Sequence, residues 1–253
     1  MFARLFLLLA VLPVPAMGDP LRIAVASNFH ATLAPLATAF SRDHGTAVEL
    51  VPGASGALYA QLSHGAPFDL FFSADILRPQ LLEQQGLAAP SSLVVYATGQ
   101  LVLWQPDDAR AGDLDSSDVI AIAQPRLAPY GAAAMSWLAS QPDADALREQ
   151  LVYGTSVSQA FHFVASGNAS AGLVALSQVL SLAPAARGHY RVLPAQPDQP
   201  LQQAAVILAG TDNYPLARAF LDHVRSPASA ELIRTRGYLP AQAPQQEADH
   251  AGQ

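Results

Sequence analysis

The sequence predicts an α/β chain of two lobes, each built on its own parallel-rich sheet and joined by two crossings. Three observations carry this. Short apolar runs alternate with amphipathic segments of helical period from Leu21 onward, a β-α-β-α rhythm that calls for parallel strands covered on both faces. The rhythm breaks at a long apolar run, 93–104, with Gly99 inside it, and then resumes. A last apolar run, 204–208, follows a stretch rich in Pro and Gln at 183–200 and provides the return.

Taken in order, 21–26 reads as a buried strand and 29–40 as a helix with Leu33, Leu36 and Phe40 on one face. Strand 48–51, helix 57–64, strand 70–73 and helix 77–85, closed by Gly86, complete the first unit. The run 93–104 is too long for one ordinary strand and is read as two halves passing between lobes. The second unit has strand 119–123, helix 131–140, strand 151–153, helix 158–166 and strand 171–176. Residues 183–200 read as loop, 204–208 as the returning strand, and 214–225 and 228–236 as closing helices. The expected division is 19–97 with 208–240 in lobe 1 and 98–207 in lobe 2, followed by a disordered tail at 241–253.

Residues 1–18 read as a secretory signal peptide: a basic start, an apolar run at 5–12 and small residues Ala16 and Gly18 before a cleavage point near Gly18. No other run approaches the ~18 apolar residues of a membrane span, so a soluble protein outside the cytoplasm is expected. The chain has no Cys, which removes disulfides and a lipid-modified N-terminal cysteine. Its 13 basic residues are all Arg, which removes a P-loop lysine, Schiff-base chemistry and a Ser–Lys dyad. With 20 acidic residues the net charge is −7, and scattered Arg side chains make no basic patch, so nucleic acid is not an expected partner.

Four turns carry the candidate chemistry. Ala26-Ser27-Asn28 and Gly53-Ala54-Ser55-Gly56 follow strands of the first unit, while Ala128-Pro129-Tyr130-Gly131 and Thr155-Ser156-Val157-Ser158 precede helices of the second. The first N–H groups of a helix have no helical partner and sit at the positive end of its dipole, which suits an anion. Singly, each turn is an ordinary cap. Four of them, two from each lobe, point to a shared anion site. Ser55 also fits a hydrolase elbow, with Ala57 in place of the motif's last Gly, but His162, His189 and His223 occupy helical or loop contexts unlike a triad histidine. The seven His residues lack metal-ligand spacing.

The segments IAVASNF, VPGASGALYAQLSHGAPFDLFFSAD, LAPYGAAA, YGTSVSQAF and GLVALSQV together resemble the periplasmic molybdate-binding proteins, the solute receptors of ATP-binding-cassette importers. The resemblance runs from about Leu21 to Pro240. It implies the two-lobed periplasmic-binding-protein fold of type II and a tetrahedral oxyanion held between the lobes by neutral donors. Carried over by residue, it implies ligand contacts from Ser27, Asn28, Ser55, Tyr130 and the backbone N–H of Val157, all to oxyanion oxygens and none directly to the metal. Ala54, Gly56 and Ser158 are adjacent candidates for supporting contacts. Some members carry a binding tyrosine in the turn matching 174–176; Val174-Ala175-Leu176 has none, so Asn28 and Tyr130 are expected to do that work. The resemblance implies molybdate or tungstate as ligand, a membrane permease as partner, a monomeric periplasmic protein, no cofactor and no enzymatic activity. A receptor for sulfate or another oxyanion is the alternative, with a serine hydrolase using Ser55 as the more distant one.

Overall fold

The structure is a computed structural model and describes residues 19–107, 112, 114 and 118–241. The expected signal peptide and all but the first residue of the expected tail lie outside the described residues.

The first sheet begins with β1 (Leu21–Ala26), β2 (Val48–Gly53) and β3 (Leu70–Ser73), ordered β2-β1-β3 and parallel. Helices α1 (His30–His44), α2 (Ser55–Ser63) and α3 (Leu77–Gln84) follow these strands in turn. β1 and β3 are buried along nearly their whole length, as their unbroken apolar sequences require of strands covered on both faces. β4 (Val94–Thr98) and β5 (Leu101–Gln105) divide the long apolar run between the two sheets, with Gly99 and Gln100 as the passage.

The second sheet repeats the plan. β6 (Ile120–Ala123), β7 (Leu151–Gly154) and β8 (Ala171–Ala175) are parallel in the order β7-β6-β8, and β5 runs antiparallel beside β8. Helices α4 (Pro129–Ala139), α5 (Ala144–Glu149), α6 (Val157–Ala165) and α7 (Leu176–Ser181) connect and cover it. The stretch 183–200, read as loop, contains β9 (His189–Val192), an edge strand on β5. Most of its side chains are exposed, so no apolar pattern announced it.

One boundary needs correction. β10 (Gln202–Ile207) lies wholly in the first sheet, between β3 and β4, and is antiparallel to both. The return crossing therefore precedes Gln202, and the strand that the division 98–207 assigns to lobe 2 belongs to lobe 1. Its apolar pattern specified a buried strand without specifying a sheet. Its Ala205 and Ile207 pack in the same core as Leu21, Phe29 and Phe72. Helices α8 (Tyr214–Val224) and α9 (Pro227–Thr235) close that core with Phe220, Leu221 and Ile233. Phe29 is fully buried there, with its ring 4.6 Å from Tyr96 and edge-on to Tyr238 at 5.4 Å. The second core is organised around Trp104, stacked on Phe161 at 4.7 Å.

Candidate functional site

Strand register brings the four turns together in pairs. β1 lies beside β2 with Ala26 opposite Gly53, and β6 lies beside β7 with Ala123 opposite Gly154. The same backbone bond closes both pairs: Ser27 N–H donates to Gly53 O at 2.9 Å, and Gln124 N–H to Gly154 O at 2.7 Å. Ser27 and Asn28 thus stand beside Ser55 at the C-terminal strand ends of one sheet, and Tyr130 stands near Val157 at those of the other. Open α/β sheets bind ligands at this edge. All five residues line one small cavity between the lobes, and none of its eleven lining residues carries a charge.

Ser55 is the first residue of α2 and is buried. Its Oγ accepts the N–H of Ala74 at 3.0 Å. With a lone pair engaged by that backbone donor, the hydroxyl proton points away from Ala74 and is free for another acceptor. On the same turn Gly56 N–H donates across the lobes to Leu127 O at 2.8 Å.

Asn28 plays a different part from the one its side chain suggests. Gln203 Nε2 donates to Ala74 O at 3.2 Å and Leu201 O at 3.0 Å, so Gln203 Oε1 must be an acceptor. It receives Asn28 Nδ2 at 2.9 Å, and the same nitrogen reaches Tyr238 Oη at 3.1 Å. Both amide hydrogens are used inside the protein. The backbone N–H of Asn28 has no partner among the described residues and is the donor this residue retains for the cavity.

Tyr130, second residue of α4, is buried, and burial followed by the neighbouring Tyr238 holds its phenol well above the usual tyrosine range. It is therefore a neutral O–H donor at any physiological pH. Pro129 before it has no N–H to offer, as suits a helix's first position. Gly99 makes room for the hydroxyl: a Cβ there would lie 2.2 Å from Tyr130 Oη. Val157 opens α6 after the cap Ser156, whose side chain accepts Gln159 N–H at 3.3 Å. The cap uses one orphan donor, and the N–H of Val157 remains without a partner among the described residues.

A family model described as bacterial extracellular solute-binding protein matches residues 21–239. The chain belongs to the bacterial extracellular solute-binding proteins. Among the relatives of this solute-binding protein is the molybdate-binding protein ModA of Azotobacter vinelandii, 37% identical over 237 residues that span 90% of this chain and 93% of that one. ModA of Rhodobacter capsulatus is 38% identical over 233 residues, 90% of this chain and 91% of its own. The solved structure of the Azotobacter vinelandii periplasmic molybdate-binding protein superposes with a TM-score of 0.80 at 36% identity, covering 88% of this chain and all of that one.

The bonds at Ser55 of this solute-binding protein are not those of a nucleophile. A triad serine needs an imidazole at its oxygen; here the oxygen takes a backbone N–H, and no histidine lines the cavity. His64, the closest in sequence, meets Ala60 O through Nδ1 at 2.7 Å. Among the described residues no group of His, Cys, Asp and Glu could hold a metal ion, and no helix is long and apolar enough to cross a membrane. Asp69 and Asp75 brace loops: Asp69 accepts Arg22 N–H at 2.7 Å and the Thr211 hydroxyl, and Asp75 accepts Arg78 N–H at 3.0 Å and the Arg78 guanidinium.

Sequence reasoning missed Gln203, Tyr238 and Ser177. Tyr238 Oη donates to Asn28 O at 2.9 Å, and Ser177 Oγ reaches the same oxygen at 3.2 Å. Burial raises the Tyr238 pKa to about 12 against the opposing hydrogen bonds of Ser177, Asn28 and Thr32. Gln203 and Tyr238 come from near the C-terminus of the chain, far in sequence from the turn they hold. Two polar residues opening an otherwise apolar strand, Gln202 and Gln203 in QQAAVI, were the available signal.

Proposed function

We propose that this protein captures molybdate, with tungstate as a second ligand, in the periplasm and delivers it to the permease of an ATP-binding-cassette importer. The observation that carries the proposal is an uncharged cavity lined by Ser27, Asn28 and Ser55 from one lobe and by Tyr130 and Val157 from the other. The donors are the hydroxyls of Ser27, Ser55 and Tyr130 and the N–H groups of Asn28 and Val157. The identity with ModA proteins over nine-tenths of the chain supports molybdate as the anion.

Neutral donors suffice in energy for a dianion. Hydrogen bonds to a charged group contribute about 1.5–3 kcal/mol each, so five give roughly 8–15 kcal/mol before the cost of closing the lobes. Micromolar to nanomolar binding needs about 8–12 kcal/mol. No arginine is required. Neutral donors also favour release: as the lobes part, those of the second lobe leave together, and no buried cation continues to hold the cargo.

Calorimetric titration of the purified protein with molybdate, tungstate, sulfate and phosphate tests the proposal. One molybdate per chain at micromolar affinity or better is expected. Sulfate binding as tight as molybdate would replace it with a general oxyanion receptor, and labelling of Ser55 by a fluorophosphonate would favour the hydrolase.

A further inference from the structure

Ser158, one residue past Val157 on α6, does not line the cavity, yet it touches the turn that does. Its Oγ donates to Ser27 O, across the lobes, at 3.2 Å. The direction of that bond is set behind it. Ala175 N–H donates to Gln178 Oε1 at 3.3 Å, which leaves Gln178 Nε2 as a donor, and Nε2 meets Ser158 Oγ at 2.9 Å. With one lone pair occupied by Gln178, the Ser158 proton is directed to Ser27 O. The Ser27 carbonyl and the Asn28 N–H belong to one peptide unit. A bond accepted at its oxygen polarises the unit and strengthens its N–H as a donor, because hydrogen bonds in a chain polarise one another.

We propose that Ser158, oriented by Gln178, is a positioning residue that couples lobe closure to the strength of the Asn28 N–H as an anion donor; this rests on the reading of the cavity as an anion clamp. Ser158 and Gln178 ride on the second lobe, and Ser27 and Asn28 on the first. Opening breaks the Ser158–Ser27 bond and weakens a first-lobe donor that does not itself move with the second lobe. Closure thus tightens the whole site, and opening loosens the donors left behind with the anion. Every proton in the relay points the same way, from the second lobe toward the cavity.

The test compares the parent with Ser158→Ala, Ser158→Thr and Gln178→Met by calorimetry with sodium molybdate, stopped-flow dissociation and the amide ¹⁵N shift of Asn28. Losing one neutral hydrogen bond corresponds to roughly a three- to tenfold change in affinity. Ser158→Ala is expected to raise Kd by about that factor, mainly through faster dissociation, and to move the Asn28 ¹⁵N resonance. Gln178→Met, which keeps the Ser158 hydroxyl but frees its direction, should shift both readouts the same way by less, and Ser158→Thr should restore them. A Ser158→Ala protein that folds and keeps the parent's dissociation rate and Asn28 resonance overturns the relay. If the parent itself fails to bind molybdate, the functional reading fails. The Asn28 resonance in anion-free parent and Ser158→Ala then decides the relay separately: a difference supports it and identity refutes it.

Discussion

The backbone N–H of Ala74, just beyond β3, donates to the hydroxyl oxygen of Ser55 at the start of α2, 3.0 Å away. That bond gives the serine two duties. It satisfies a buried backbone donor just beyond β3, and it keeps the serine's proton away from that donor, free for the proposed anion.

Ser55→Ala should therefore weaken molybdate binding by roughly tenfold to a hundredfold, the worth of one bond to a charged group. It should also lower the stability of the ligand-free protein by about 1–3 kcal/mol, because the Ala74 N–H loses its partner. Ser55→Asp places a like charge beside a dianion and should abolish binding. Calorimetry and denaturant unfolding check the two effects together. An affinity unchanged by Ser55→Asp would remove the serine from the site.

At Gly99 the space between backbone and Tyr130 Oη is too small for a methyl group. Gly99→Ala should displace the phenol and reduce affinity at least as much as Tyr130→Phe, which removes only the hydroxyl and should cost roughly tenfold or more. Equal affinity in parent and both variants would show that Tyr130 does not touch the anion.

A Cβ at Gly56 would lie 2.9 Å from Leu127 O and 2.9 Å from Arg78 Nη2, directly in the seam between the lobes. Gly56→Ala is expected to hold the lobes apart. Roughly tenfold weaker binding should result from the loss of the Gly56–Leu127 bond alone, with little change in the melting temperature of the ligand-free protein. Small-angle scattering with saturating molybdate should show a larger radius of gyration than the parent's.

Charge cannot separate molybdate from sulfate, since both are tetrahedral dianions near neutrality, but size can. If the closed lobes set their donors for the larger ion, the smaller one leaves some bonds stretched, and hydrogen bonds fade beyond about 3.2 Å. Two or three stretched bonds would cost sulfate roughly a hundredfold or more. Molybdate and tungstate should compete for one site, undisturbed by a large excess of sulfate. Saturating molybdate, at about 100 times Kd, should add about 2.7 kcal/mol of stability, seen as a raised melting temperature.

The pH dependence follows from the tyrosines. The Tyr238 pKa stands at about 12 in the fold, above its ordinary value of 10.0, with burial the leading cause. The folded state holds the proton more tightly than the unfolded chain, so this contribution to stability is complete below about pH 10 and is lost as pH rises toward about 12. A falling melting temperature across that alkaline window is expected, with tyrosinate absorbance arriving as the protein unfolds. Between about pH 6 and about pH 9 the donors proposed for the site do not titrate, and affinity should be flat. A steep affinity change in that range would require a titrating group at the anion.

The sequence by itself determined most of the elements in their order, though not α5, α7 or β9, and it marked the candidate turns. Period and apolarity are local properties, so β1, β3 and β6 were legible, as was the passage at Gly99 between β4 and β5. The four turns stood out because small or hydroxyl residues at a helix start have a local physical meaning, while the choice of Ser27, Ser55, Tyr130 and Val157 within them came from the family resemblance. Tertiary structure decided everything that depends on which distant segments meet. It put β10 in the first sheet, where a buried strand's apolar pattern is satisfied by any covered sheet. It turned the Asn28 side chain inward to Gln203 and Tyr238, 175 and 210 residues away along the chain, leaving the backbone as its cavity donor. It also constrained the Ser55 and Ser158 hydroxyls, because a serine's proton points away from a donor its oxygen already accepts, and those donors, Ala74 N–H at Ser55 and Gln178 at Ser158, come from other elements.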